Sequence, residues 1–167
     1  IKFWGVRGSY PAPGAGTVKY GGNTSCVEIN AGGRTIILDA GTGIIPLGRE
    51  LAKRAIQEKR GLELLLLFSH LHHDHTQGFP FFTPAYSHDV RITVYGKPFH
   101  QSSFMETLHG IIQPPYFPVD LDSFPAALSF RDIGTRAFSI GSLKVSTIAL
   151  NHPNGGVGFR FDEGESS

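Results

Sequence analysis

From Ser69 to Gly78 the chain reads S-H-L-H-H-D-H-T-Q-G, which places His70, His72, His73, Asp74 and His75 within six positions. Imidazole and carboxylate together bind divalent ions. They suit zinc, with manganese or iron as alternatives, better than calcium. His70 and His72 are two residues apart, and side chains at that spacing in an extended segment project to the same side. Two imidazoles would therefore converge on one ion. His73 alternates to the other side and is the poorest ligand of the four histidines. Asp74 and His75 return to the site only if the backbone changes direction, as a helix beginning around D-H-T-Q-G-F would make it do. The plain alternative is a surface histidine cluster with no ion. Four ligand-type side chains at the mouth of an apolar strand argue against it.

Two further residues could serve this cluster. His152, in L-N-H-P-N-G-G, follows a strand pattern and opens a turn, so it too belongs at a sheet edge. Asp39 ends R-T-I-I-L-D and precedes A-G-T-G. Its carboxylate can accept hydrogen bonds from the following backbone or brace a ligand, and bracing is the favoured role. G-T-G is not a phosphate loop, because no Lys-Ser/Thr follows. His88, His100 and His109 lack such a context and read as surface. Cys26, in T-S-C-V-E-I, reads as a small buried hydrophobe rather than a nucleophile.

The elements that must position these residues are legible from periodicity. S-C-V-E-I and R-T-I-I-L-D are strands joined by N-A-G-G, a hairpin connection. P-L-G-R-E-L-A-K-R-A-I-Q-E-K-R-G is a helix, with Leu47, Leu51, Ala55 and Ile56 as its apolar positions, a Glu50–Arg54 pair and Gly61 as its C-cap. Leu62–Phe68 is a short apolar run that ends abruptly in the polar cluster. It predicts a strand covered on both faces, parallel to its neighbour. V-R-I-T-V-Y-G is the next strand. S-S-F-M-E-T-L-H-G-I-I is a helix with capping-box spacing between Ser103 and Glu106. Q-P-P-Y-F-P-V-D-L-D-S-F-P, with four prolines, is a surface loop. It lies either at the site mouth, with Tyr116 and Phe117 as lining, or against the fold's own surface. A-L-S-F-R-D-I, R-A-F-S-I, L-K-V-S-T-I-A-L and V-G-F-R-F complete the strands. The order predicts an α/β architecture of two sheets with helices outside, at the edge of which α/β folds place their chemistry.

Composition sets bounds on function. The chain has 167 residues, 40% of them apolar and 17% charged, with a net charge of +1. That fits one domain and offers no broad footprint for nucleic acid or acidic lipid. No apolar run reaches the roughly 20 residues a membrane helix needs, and Ile1–Tyr10 lacks the apolar stretch of a signal peptide. One cysteine permits no internal disulfide, so a reducing, cytoplasmic setting is the simplest expectation. The 21 glycines, nearly twice the usual ~7%, fall in turns rather than in a low-complexity tail.

S-H-L-H-H-D-H-T-Q-G resembles the H-x-H-x-D-H signature of the metallo-β-lactamase superfamily. The likeness continues through F-W-G-V-R-G-S-Y-P-A-P-G, Y-G-G-N-T-S-C-V-E-I, I-L-D-A-G-T-G, Q-G-F-P-F-F, P-P-Y-F-P-V and N-H-P-N-G-G-V-G-F-R-F. These segments are similar to a bacterial branch of metal-dependent hydrolases near ribonuclease Z and the cyclic-phosphate phosphodiesterases. The resemblance implies an αββα sandwich, two mixed sheets with helices outside, and a two-metal site at one edge of the sheets. It implies that His70, His72 and His152 hold one ion, that Asp74 and His75 belong to a second, and that Asp39 supports them. A histidine at position 72 departs from the flavodiiron branch, and the Asp74 carboxylate from branches with a cysteine-based second site. The family's bridging aspartate and final histidine would lie beyond Ser167. The expectation is therefore one metallo-β-lactamase-like domain over residues 1–167 with its C-terminal part missing.

The resemblance also implies a reaction. Two divalent ions about 3.5–4 Å apart share a water and lower its pKa toward about 7, so that a bridging hydroxide attacks at neutral pH. The expected substrate is a small-molecule or nucleotide-type phosphodiester or cyclic phosphate. Asp74 and His75 would be the catalytic ligands. The weak basic character and the absence of an arm for transfer RNA argue against a ribonuclease. Two alternatives stand beside this reading: hydrolysis of a carbon ester, thioester or lactam, and a non-catalytic metal-binding or ligand-sensing module. A homodimer is compatible with all three.

Overall fold

The computed structural model describes residues 1–134 and 136–164. Strands β1 (Lys2–Gly5), β2 (Cys26–Ala31), β3 (Arg34–Leu38), β4 (Leu62–Leu67), β5 (Val90–Gly96) and β6 (Ala127–Asp132) form a six-stranded sheet in chain order. The first three pair antiparallel and the rest parallel, so the sheet is mixed. Gly32 and Gly33, both at positive φ, make the two-residue turn between β2 and β3 that such a tight hairpin requires. The parallel connections carry α1 (Ile44–Glu58), the single-turn α2 (His73–Thr76) and α3 (Phe104–Ile111). Right-handed crossovers that all step in one direction leave every connection on the same face of a sheet. The opposite face is thereby free for a second sheet.

That sheet is β7 (Phe138–Ile140), β8 (Leu143–Ala149) and β9 (Val157–Glu163), antiparallel throughout. Strand β4 shows how the two layers share one apolar run. Leu62, Leu64 and Leu66, with Phe68 just beyond, enter the core under α1 and α3. Leu65 and Leu67 point the other way and meet Ile140, Leu143 and Val145 of the second sheet. The run is apolar at nearly every position because the strand is buried on both faces. Among the described residues the helices lie on the outer face of the larger sheet, and none covers the smaller one. None is long and apolar enough to cross a membrane.

The expected helix chemistry holds at α3, where Ser103 accepts from the Glu106 amide and Glu106 accepts from the Ser103 amide. At α1 it needs correction twice. Leu47 and Leu51 are buried, but Ile56 is 77% exposed. Nine residues beyond Leu47 is two and a half turns at about 3.6 residues per turn, so Ile56 faces water. The helix also stops earlier than expected, at Lys59, whose φ of 50° is left-handed and whose N–H returns to Ala55 and Ile56. Gly61 answers a different need: a Cβ there would lie 2.4 Å from the Asp89 carbonyl oxygen. The proline-rich segment forms no strand; it turns at residues 114–116, where the Tyr116 and Phe117 amides donate to the Gln113 carbonyl, and again at Leu121–Ser123, whose Leu121 is buried.

One polar group lies inside the helix-covered layer. Glu28 on β2 is 1% exposed and accepts from Arg54 of α1 at 2.6 Å and from the Trp4 indole of β1 at 2.9 Å. Burial works to raise its pKa, but the hydrogen bonds from Arg54, Trp4 and Asn30 outweigh burial and hold it below the ordinary value. A depressed carboxylate contributes stability above its unfolded pKa, near 4.3, and loses it as pH falls through the folded value. Glu28→Gln should therefore cost about 1–3 kcal/mol in urea unfolding at pH 7. The gap to the parent protein should close as the pH is taken below about 4. A gap that stays constant down to pH 3 would remove the ion pair as its source.

Candidate metal centre

Four chain segments meet at the C-terminal ends of β3 and β4, and backbone contacts hold them. The Asp39 amide donates to the Leu67 carbonyl, the Ala40 amide to the His75 carbonyl and the Gly78 amide to the Ala40 carbonyl, at 2.9, 2.8 and 2.9 Å. The loops approach so closely that a Cβ on Gly41 would stand 2.2 Å from the Asp74 carbonyl oxygen, and one on Gly78 2.1 Å from that of Gly41. The second sheet joins through Val157, whose amide donates to the Ser69 carbonyl at 2.8 Å. That contact delivers the β8–β9 turn carrying His152. The N-terminal segment joins through Ser9, whose amide donates to Asp74 Oδ2 at 2.8 Å.

The structure brings His70, His72 and His152 together, with one nitrogen of each within 4.8 Å of the others. His152 Nε2 and His72 Nδ1 are 3.2 Å apart. Two nitrogens that share a tetrahedral ion at 2.0–2.1 Å stand about 3.3–3.4 Å apart, so this spacing fits a common ion. The His70 ring centroid lies 4.6 Å from that of His72 and 4.5 Å from that of His152. Burial, then the neighbouring His75, push the His70 pKa down to about 4. The ring is therefore in the neutral form that coordination needs. His72 is not in the strand, which ends at Leu67; it caps α2 from an extended conformation, φ −61° and ψ 151°. Positions 70 and 72 still converge, although the backbone bends at Ser69 beyond the last ladder bond.

Asp74 and His75 form an adjoining pair. His75 Nε2 is 3.4 Å from Asp74 Oδ2, and the His75 ring centroid is 4.0 Å from that of His70. The one-turn helix α2 supplies the change of direction that returns them. On its other nitrogen, His75 Nδ1 meets Asp39 Oδ2 at 2.8 Å. Burial works to lower the His75 pKa, but Asp39 and Asp74 outweigh it and hold it above the ordinary value. Burial works to raise the Asp74 pKa, but the Ser9 amide and His75 hold it low, so the carboxylate is ionised at neutral pH. Asp39 touches none of the three converging histidines. It accepts from the Ser69 amide, the Ser69 hydroxyl and the Ser25 hydroxyl as well as meeting His75.

Other residues fall elsewhere. His73 is exposed and apart from the cluster, and His109 lies near Asp122 at 3.5 Å. Tyr116 is 78% exposed, and Phe117 packs edge-on against Phe81. Neither lines the cavity beside the histidines, so the proline-rich segment belongs to the fold's own surface. Asn23 and Thr24 tie the N-terminal segment to Thr42. His100 is exposed, as expected from the sequence, and also borders a cavity of about 480 Å³ next to His70 and His72. Ser69, Ser9 and Asn154 were not singled out in the sequence. Asn154 Oδ1 lies 3.2 Å from His72 Nε2, and its place in P-N-G-G was the available signal.

With this geometry in view, the class of fold can be stated: the chain has the metallo-β-lactamase fold. It superposes on the metallo-beta-lactamase fold protein YhfI from Bacillus subtilis with a TM-score of 0.63 and 16% identity, over 98% of this chain and 57% of that one. It superposes on a diphosphatase from the PhnP family with a TM-score of 0.55 and 15% identity, over 83% of this chain and 49% of that one. The chain thus spans about half the length of the solved structures it matches. No protein-family model matches the sequence, and no curated protein sequence does.

Zinc titration against a competing chelator tests these placements. His70→Ala, His72→Ala and His152→Ala should each abolish tight binding of the first ion, whereas His73→Ala should leave it unchanged. Asp39→Asn should weaken total zinc binding by about 10–100-fold without removing a ligand. Equal affinities across all five proteins would dismiss the arrangement.

Proposed function

We propose that this chain carries the metal-binding part of a metal-dependent hydrolase that acts on a phosphodiester or cyclic phosphate. The observation that carries the reading is the convergence of His70, His72 and His152 beside Asp74 and His75 at one end of two packed sheets. In this reading the three histidines hold one divalent ion, Asp74 and His75 hold a second, and Asp39 orients His75. Zinc is the first choice for that donor set, with manganese or iron as alternatives. When bound, such ions supply an activated water at neutral pH and Lewis-acid polarisation of the substrate oxygen.

The chain's own residues then have distinct tasks. Asp39 accepts the His75 Nδ1 proton and leaves Nε2 directed toward Asp74. The Ser9 amide holds the Asp74 carboxylate in place and in its charged form. Val157 anchors the turn that presents His152. A phosphoester suits the adjoining cavity, whose lining includes Lys97 and no carboxylate. One of the solved structures on which the chain superposes is a diphosphatase, which supports cleavage at phosphorus. A small-molecule or nucleotide-type substrate, rather than a long nucleic acid, fits the near-neutral charge. A cytoplasmic setting fits the single buried cysteine.

The test is a substrate panel on zinc- and manganese-loaded protein: bis-p-nitrophenyl phosphate, cyclic nucleotides, thioesters and nitrocefin. Turnover should be confined to the phosphoesters, be lost with chelator and return with metal. Turnover of the thioesters or nitrocefin alone would move the assignment to carbon esters or lactams. Zinc binding with no turnover of any substrate would favour a sensing module.

A further inference from the structure

The cavity beside His70 and His72 has a composition that the metal ligands do not explain. One wall is the turn that follows β5, residues 97–102, in which Phe99 and Ser102 exchange backbone hydrogen bonds at 3.2 and 3.1 Å. Pro98 disfavours helical backbone at Lys97, so the turn starts extended, and His100 closes it at a left-handed φ of 52°. The turn is therefore a shaped element. It presents Lys97, Pro98, Phe99 and His100 to the cavity, across from Leu71 and the glycines that follow Asn154. The lining contains no aspartate or glutamate, and Lys97 is in none of the ion pairs among the described residues. Phe99 is 38% exposed, its ring packed edge-to-face with that of His100 at 4.2 Å between centroids, whereas Phe104, which also lines the cavity, is buried.

We propose that this cavity selects a phosphate ester bearing a flat ring, with the Lys97 ammonium pairing with a phosphate oxygen and the ring lying against Leu71, Pro98 and Phe99. A free ammonium in a wall without carboxylates attracts an anion and repels no part of it. The exposed part of the Phe99 ring beside it offers a surface on which a flat ring can stack. Neither feature alone specifies the ligand. Together, a few residues apart on one turn, they specify an anion joined to a ring. The inference deepens the hydrolase reading, since it rests on bond cleavage at the adjoining histidines, and its test is independent of turnover.

The test is calorimetric titration of the metal-free protein with 5′-AMP, adenosine and inorganic phosphate. AMP should bind more tightly than either fragment. Lys97→Gln should weaken AMP at least tenfold and leave adenosine unchanged, Lys97→Arg should restore AMP, and Phe99→Ala should weaken AMP and adenosine alike. Lys97 and Phe99 are both exposed, so unchanged melting temperatures will separate lost binding from lost folding. No AMP binding by the parent protein, or equal AMP affinity in the parent and Lys97→Gln, overturns the proposal. Loss of the binding arm with metal-dependent phosphoester turnover intact would overturn the pocket and keep the hydrolase. Lysine-dependent AMP binding with no turnover would do the reverse.

Discussion

The arrangement depends on one carboxylate. Asp39 sits at the end of β3 with a left-handed φ of 60°, a conformation that costs a non-glycine residue roughly 1–3 kcal/mol. Aspartate tolerates it better than most residues, because its short polar side chain can bond locally. Here it bonds across to β4 instead. One carboxylate oxygen takes the Ser69 amide, and the other takes the Ser69 and Ser25 hydroxyls and faces His75. The strained turn aims the carboxylate at the neighbouring loop, and those hydrogen bonds offset the strain. Because the side chain is only 8% exposed, leaving its partners unmatched would be costly, at about 1–3 kcal/mol each.

The position of this carboxylate follows from the sheet. A parallel pair puts the C-terminal ends of β3 and β4 side by side, so the loops leaving them start as neighbours. Crossovers stepping in one direction put α1 and α3 under one face and leave Ile36, Leu65 and Leu67 bare on the other. Burying those side chains requires a second sheet, and the antiparallel β7–β8–β9 unit provides it. Its β8–β9 turn then falls at the same end as the β4 loop, with the Val157–Ser69 bond fixing the alignment. His152 reaches His72, 80 residues away in sequence, as a consequence of covering leucines.

The sequence made some of this legible because the signals are local. The spacing of His70 and His72, the doubly buried reading of Leu62–Phe68 and the Ser103–Glu106 box each depend on a few adjacent residues. The errors arose where distant contacts decide. Gly61 looked like a helix cap because glycine at a helix end usually is one, yet the close approach of Asp89 is what requires it. Ile56 looked like part of an apolar stripe because it adjoins Ala55, yet its helical phase turns it outward. Glu28, Trp4 and Arg54 come from three elements, and no short window contains them. His100, just before a helix, reads as a surface residue able to overhang the site, and no short window shows the cavity it borders, which is made by a turn meeting loops from β4 and β9. The architecture of two sheets with a histidine-bearing edge was therefore readable in advance, as was Asp39 as a brace, whereas Ser69, Ser9 and Asn154, which come from separate loops, were not.

Those partners give the histidines different electronic settings. The Ser69 hydroxyl donates to Asp39 Oδ2 and so can accept the Nδ1 proton of His70, 3.0 Å away. Asn154 Oδ1 can accept the Nε2 proton of His72. His75 meets the Asp39 carboxylate directly. In each case the nitrogen left over is the one directed into the cluster, so oxygens outside the cluster set the tautomers. A hydroxyl, an amide and a carboxylate differ in how much charge they lend to the ring they hold, and the carboxylate lends most. The Asp74–His75 pair is thus the more anionic part of the cluster, and the group of His70, His72 and His152 is the more neutral. Asp39 contacts His75 directly and reaches His70 through Ser69. That asymmetry is written into the turn at the end of β3.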